Sequence, residues 1–206
     1  MRPLPLPDPP LTDGVATVRP WSDADLGAVL AAGLDPVIPE MTTVVRDGTP
    51  ADAREYIARQ RQRAADGEAI ALAIADNASG RAVGWIGANR PDLTNRRADI
   101  GYWVLSSARG RGLAGRAGEL FVPWLVRTLG LARVEAVIAP ENHGSQRVAE
   151  RLGFSLEGLL RAYMVFPEGL WRGAGHTGRP VSHDMLLYAR TDHGHRARNG
   201  VGSSHA

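Results

Sequence analysis

The stretch Arg109-Gly110-Arg111-Gly112-Leu113-Ala114 joins an apolar run, ADIGYWVL, to a long helical pattern that starts at Leu113. The chemistry such a strand–turn–helix offers is anion binding. The first amides of a helix have no partner within it, and the helix dipole adds partial positive charge at that end. Glycines at 110 and 112 let a phosphate approach the main chain with no Cβ in the way. Arg109, Arg111 and Arg116 supply charge nearby. A diphosphate is the natural guest. One reading is a dinucleotide-binding oxidoreductase, since Gly110-Arg-Gly112-Leu-Ala-Gly115 fits G-x-G-x-x-G with Glu135 downstream. The context argues against it. Residues 106–109 intervene between the apolar run and the first glycine, and the turn lies mid-chain behind apparent hairpins instead of opening a βαβ unit.

The elements that must position this turn follow from pattern. Residues 15–20 read as a strand, and Ser22 is a plausible cap for a helix over 23–33. Residues 50–66 form a second helix with Ala53, Ile57 and Ala64 on its apolar side. Two short apolar runs, 69–75 and 82–88, flank the turn-rich DNASGR and predict antiparallel strands. Residues 98–105 are a further strand. In the helix after the turn, Leu113, Ala117, Leu120, Phe121, Trp124, Leu125 and Leu129 recur at helical spacing, and Pro123 is expected to kink or end it. A strand over 133–140, a short helix over 143–153 stopped by Gly153, and a last strand over 179–190 complete the chain. This order predicts a single α/β (α+β) domain over 14–190, a mixed, mostly antiparallel sheet flanked by helices. Residues 1–13, with five of the 14 prolines, are expected to be a flexible arm, and 191–206 a disordered tail.

Bulk composition excludes several functions. The 206 residues contain no cysteine, which removes disulfides, thiolate metal sites and a Cys nucleophile. All 24 basic residues are arginine, yet the net charge of +2 argues for no nucleic-acid partner. No apolar run approaches the ~18 residues of a membrane span, and the start MRPLPLPDPP lacks the apolar stretch of a secretory signal. A cytoplasmic protein is expected. His176, His183, His193 and His195 lack metal-ligand spacing, so no metal is expected. Arg54, Arg59, Arg61 and Arg63, interspersed with Gln60 and Gln62, read as a solvated helix face.

A second element carries a family resemblance. Arg109-Gly-Arg-Gly112-Leu-Ala114 matches R/Q-x-x-G-x-G/A, and Asn142-His-Gly-Ser145 followed by Gly153-Phe154 matches N-x-x-S, a helix and G-F. With IGYWV before the turn, the chain over 15–190 resembles the GNAT-type N-acetyltransferases, in particular the RimJ/RimL-like branch. The resemblance implies acetyl-CoA as cofactor and strands splayed apart at its site. It implies main-chain contacts from Trp103, Val104 and Leu105 to the pantetheine arm. Amides of Arg109, Gly110, Arg111, Gly112, Leu113 and Ala114 would hold the pyrophosphate, and Asn142 would contact the cofactor near its reacting end. The function implied is direct acetyl transfer to a primary amine: a protein N-terminus, a lysine or a small molecule. The same fold also serves as a non-catalytic acyl-CoA-binding module.

Such a transfer requires a neutral amine, a stabilised oxyanion and a proton for the departing thiolate. A backbone N–H near Val104 is the expected oxyanion donor. Ser145 is the candidate acid, because Ala149 stands where many relatives carry tyrosine; capping the following helix is its other reading. Asp99 is the candidate base, or a strand-end charge paired with Arg96 or Arg97. His143, beside Asn142, reads as a surface histidine. Asp184 reads as the acceptor of a structural hydrogen bond. Tyr163, Phe166, Trp171 and Trp85 are candidate walls of the acceptor cleft, or contacts of the core or of a homodimer.

Overall fold

Alternating side-chain size along one strand organises the molecule. In β3 (Ala69–Asp76) every residue is buried, with Ile70, Leu72 and Ile74 facing one side and Ala71 and Ala73 the other. The large side chains meet a long helix, α4 (Leu113–Leu129), through Phe121, Val122 and Leu125, each 0% exposed. The small ones admit α1 (Leu26–Gly33) and α3 (Pro50–Ala65) close to the sheet, packed through Val29, Tyr56 and Ile57. The computed structural model describes residues 2–168, 170 and 179–191. Trp171, His176, His193 and His195, and the expected tail beyond Thr191, lie outside the described residues.

The remaining elements are β1 (Leu11–Thr12), β2 (Ala16–Arg19), α2 (Ile38–Met41), β4 (Arg81–Asp92), β5 (Arg97–Val104), β6 (Arg133–Ile138), α5 (His143–Arg151), β7 (Ser155–Pro167) and β8 (Pro180–Thr191). They form one eight-stranded sheet in the order β1-β2-β3-β4-β5-β6-β8-β7. Every neighbouring pair is antiparallel except β5 and β6. That parallel junction is short: Arg97, Ala98 and Asp99 pair with Arg133, Val134 and Glu135, and beyond them the two strands separate.

Three expectations need correction. The proline-rich arm is not free of the domain. Leu4 is 7% exposed and its N–H donates to Ala64 O at 2.8 Å, and Leu11–Thr12 pairs with β2. Pro123 does not end α4, which continues to Leu129 and stops at Gly130 with φ 64°. Burial of Phe121, Val122 and Leu125 on both sides of the proline offsets its missing hydrogen bond. The long edge strand β7 is not expected from the sequence, where residues 155–162 belong to no element and Tyr163 and Phe166 read as cleft walls.

Candidate active site

The turn owes its shape to two glycines. Gly110 and Gly112 adopt φ 77° and 75°, a region costly for any residue with a Cβ, and open space lies where that Cβ would stand. Gly112 caps α4 in this left-handed conformation, and the first helical bond runs from Arg116 N–H to Gly112 O. Among the described residues, the N–H groups of residues 110–115 have no partner, and all of these residues except Arg111 line one cavity.

The arginines of this segment are already engaged. Arg109 donates to Asp35 at 2.7 Å and to Val104 O at 3.0 Å; Arg111 donates to Asp76 at 3.0 Å, and Arg116 to Asp13 at 2.7 Å. Burial opposes ionisation of Asp13, yet hydrogen bonds from the Ala16 amide, Arg116 and the Val15 amide hold its pKa at about 2. The loop arginines therefore shape the turn and balance buried carboxylates, and the amides are the free anion donors.

The gap between β5 and β6 continues this concavity into a cavity of about 1070 Å³. Trp103, Val104, Arg109, Gly110, Gly112, Leu113, Ala114, Asn142 and Ser145 line it, whereas the expected site residues Asp99, Leu105 and Arg111 are not part of its lining. Strand geometry corrects two expected main-chain roles. The Leu105 N–H donates to Val83 O at 2.9 Å, and alternation along the strand turns the main-chain groups of Trp103 toward β4 as well. Val104 and Tyr102 face the gap instead. Sequence reasoning assigns no role to Tyr102 of IGYWV; its hydroxyl crosses the gap to donate to Ser145 O at 3.2 Å, and burial raises its pKa.

At α5 the capping role belongs to Asn142, not Ser145. Asn142 Oδ1 accepts the Ser145 N–H at 3.1 Å, which leaves the Asn142 amide nitrogen and the Ser145 hydroxyl toward the cavity. Ala149, which stands where many relatives carry tyrosine, is buried at 3% exposure and does not line the cavity. His143 is exposed at the cavity rim.

Asp99 does not pair with either expected arginine: Arg97 lies 3.5 Å from Asp92, and Arg96 donates to Gly130 O. Its neighbour is Glu135, its register partner on β6. Although the residue as a whole is exposed, desolvation first, then hydrogen bonding and repulsion with Glu135, raise the Asp99 pKa against the opposing pull of Arg97 and Arg133. A carboxyl of raised pKa is a stronger base when ionised than an ordinary aspartate.

The other expected candidates separate cleanly. Trp85 lines the cavity, Phe166 is buried in a satellite core with Met185, and Tyr163 is 55% exposed. Asp184 accepts the Ala162 N–H at 2.7 Å, a structural bond that holds Ala162 at φ 48°. The arginines of α3 are not a uniformly solvated face: Arg61 donates to Trp21 O and Asp23, Arg59 to Thr43 O, and Arg63 to Asn89. Among the described residues no cluster of three metal-ligating side chains occurs, and no helix is long and apolar enough to cross a membrane.

A split sheet edge that runs into a turn of free amides is built for an extended ligand that ends in an anion, and comparison with known proteins gives the class. Residues 16–155 match the GNAT acetyltransferase domain model, and the chain belongs to that family. It is 29% identical to the uncharacterized N-acetyltransferase p20 of Bacillus licheniformis over 71% of this chain and 83% of that protein. It is 34% identical to the ribosomal-protein-serine acetyltransferase of Escherichia coli (strain K12), over 38% of this chain and 44% of that protein. The chain thus spans less than half of that second relative. The solved RimJ of Mycobacterium smegmatis in complex with CoA-disulfide superposes with a TM-score of 0.72 at 28% identity, covering 91% of this chain and 88% of that one. The chain is an acetyl-CoA-dependent acetyltransferase of this family, and the dinucleotide reading falls.

Proposed function

We propose that this protein transfers an acetyl group directly to the primary amine of a protein or peptide N-terminus, with no acyl-enzyme. The observation that carries the reading is the unpaired edge of β5 leading to the six free amides of residues 110–115. A relative whose name specifies a ribosomal protein supports a protein amine as acceptor. When bound, acetyl-CoA supplies a thioester whose acyl group passes to the amine and whose coenzyme leaves as a thiol.

The residues present fit that donor. The amides of Gly110 to Gly115 take the diphosphate, and the gap-facing main-chain groups of Tyr102 take the pantetheine arm. The Val104 N–H then stabilises charge on the acyl oxygen. Asp99, assisted by Glu135, removes the proton that keeps the amine from attacking. The Ser145 hydroxyl, free of the capping duty, gives a proton at the departing sulfur, and Tyr102 fixes its backbone.

Calorimetry with coenzyme A and with NAD, followed by thiol release from acetyl-CoA over a panel of amines, tests the reading. Coenzyme A alone should bind, and thiol release should require an amine. Binding without turnover on any amine would leave a non-catalytic acyl-CoA module.

A further inference from the structure

The face of the sheet opposite α4 carries an unusual column of side chains. On β4 and β5 the opposed pairs are Trp85–Trp103, Gly87–Gly101 and Asn89–Asp99. The Trp85 indole lies over the glycine row: a Cβ on Gly87 would meet Cζ2 at 2.6 Å, and one on Gly101 would meet Cζ3 at 3.2 Å. Helix α3 roofs this floor with Tyr56, Gln60 and Arg63, which share a helix face and line the same cavity.

Arg63 differs from the arginines of the cofactor turn. They are matched to carboxylates, whereas Arg63, half-buried, donates to the neutral Oδ1 of Asn89 at 2.8 Å and to Gln60 Oε1 at 3.4 Å. Among the described residues it makes no ion pair within 4 Å. Its charged surroundings are Arg59, Arg90 and a single carboxylate, Glu68, and burial lowers its pKa. A guanidinium has five N–H donors, so three remain uncommitted in a site where desolvation makes an unmatched charge costly. A second unmatched donor lies beneath the same cavity wall, out of reach of a ligand. Trp85 is 9% exposed, and its buried Nε1–H has no partner. Asn89, which holds Arg63, stands directly opposite Asp99, so the cation and the base are separated by one cross-strand pair.

We propose that this cleft selects an acceptor bearing a carboxylate a few bonds from its reactive amine, with Arg63 holding the carboxylate while Asp99 faces the amine. The proposal rests on the acetyl-transfer reading and names its acceptor class. Two sources share the chemistry: an acidic residue at a peptide N-terminus, and a free amino acid.

Thiol release by the full chain, measured on matched pairs, tests it. Peptides that begin with Asp or Glu are compared with peptides that begin with Asn or Gln, and free aspartate and glutamate with their α-amides. The acid of each productive pair should exceed its amide in kcat/KM by roughly tenfold or more, as charge-assisted hydrogen bonds in a half-buried site give. Whichever pair is productive identifies the source. Arg63→Gln should collapse the acid-to-amide ratio toward one, chiefly through KM, and Arg63→Lys should retain part of it. Equal rates on acid and amide, or a ratio that survives Arg63→Gln, would overturn the proposal while leaving acetyl transfer intact. Silence on every amine, with coenzyme A bound, would overturn both.

Discussion

Arg109, in the cofactor turn, donates to Asp35, just beyond α1, at 2.7 Å, and the receiving side chain is 1% exposed. Asp35 also accepts the N–H groups of Val37 and Ile38 at 2.9 and 3.2 Å. One carboxylate therefore fixes both the acceptor-side helices and the donor-side turn. Arg109→Gln leaves a buried charge with two amides only, and should cost about 2–3 kcal/mol of stability. It should also raise the KM for acetyl-CoA, read by thiol release. Unchanged melting and unchanged KM would show that the pair couples nothing.

Asp99→Asn separates stability from activity. A carboxyl whose folded pKa is raised adds stability only below its unfolded pKa and loses it as pH rises through the folded value. Near neutral pH Asp99 therefore opposes folding beside Glu135. The amide should melt higher than the parent at pH 7, with the difference shrinking as pH falls below the ordinary carboxylate range. Its kcat/KM should drop and lose the acid-side limb of the pH profile. A variant with lower Tm at pH 7 and an unchanged profile would make Asp99 a structural residue.

Ser145→Ala should lower kcat with little change in coenzyme A affinity or Tm, because Asn142 caps α5. Asn142→Ala removes that cap and should cost about 1 kcal/mol. A large Tm loss in the serine variant would reverse these assignments. Calorimetric binding and thermal melts on both variants decide it.

Gly112→Ala introduces a Cβ at φ 75° where nothing sterically opposes it. The penalty is conformational, roughly 1 kcal/mol, and the methyl group enters the space a phosphate would use. Coenzyme A affinity should fall by more than the stability loss alone predicts. Equal affinity by calorimetry would remove the turn from the donor site.

Leu4→Ala tests the N-terminal arm. Leu4 packs against the main core at 7% exposure, so truncation should cost about 2 kcal/mol. Relative rates on different acceptors should stay as they are, since Leu4 lies outside the cavity wall. A denaturant melt with no change would mean the arm contributes nothing.

The donor half of the site was legible in sequence because its physics is local. Gly110, Gly112 and the helix after them announce their own conformation within six residues. The acceptor half was not. Arg63 read as one of four surface arginines, since nothing within α3 reveals that β4 presents Asn89 to it. The Asp99–Glu135 pairing joins residues 36 positions apart, through a strand register that no single segment encodes. Leu4 misled because proline spacing reports chain stiffness, while burial depends on where that stiff chain is led.

Only three residue pairs stitch β5 to β6 in the sheet ladder, a short seam between its two halves. A donor seated beyond the seam bridges the two halves where the main-chain ladder has ended. Heat tolerance should thus track the concentration of the acyl carrier, which makes the reagent consumed in each turnover also a removable strut.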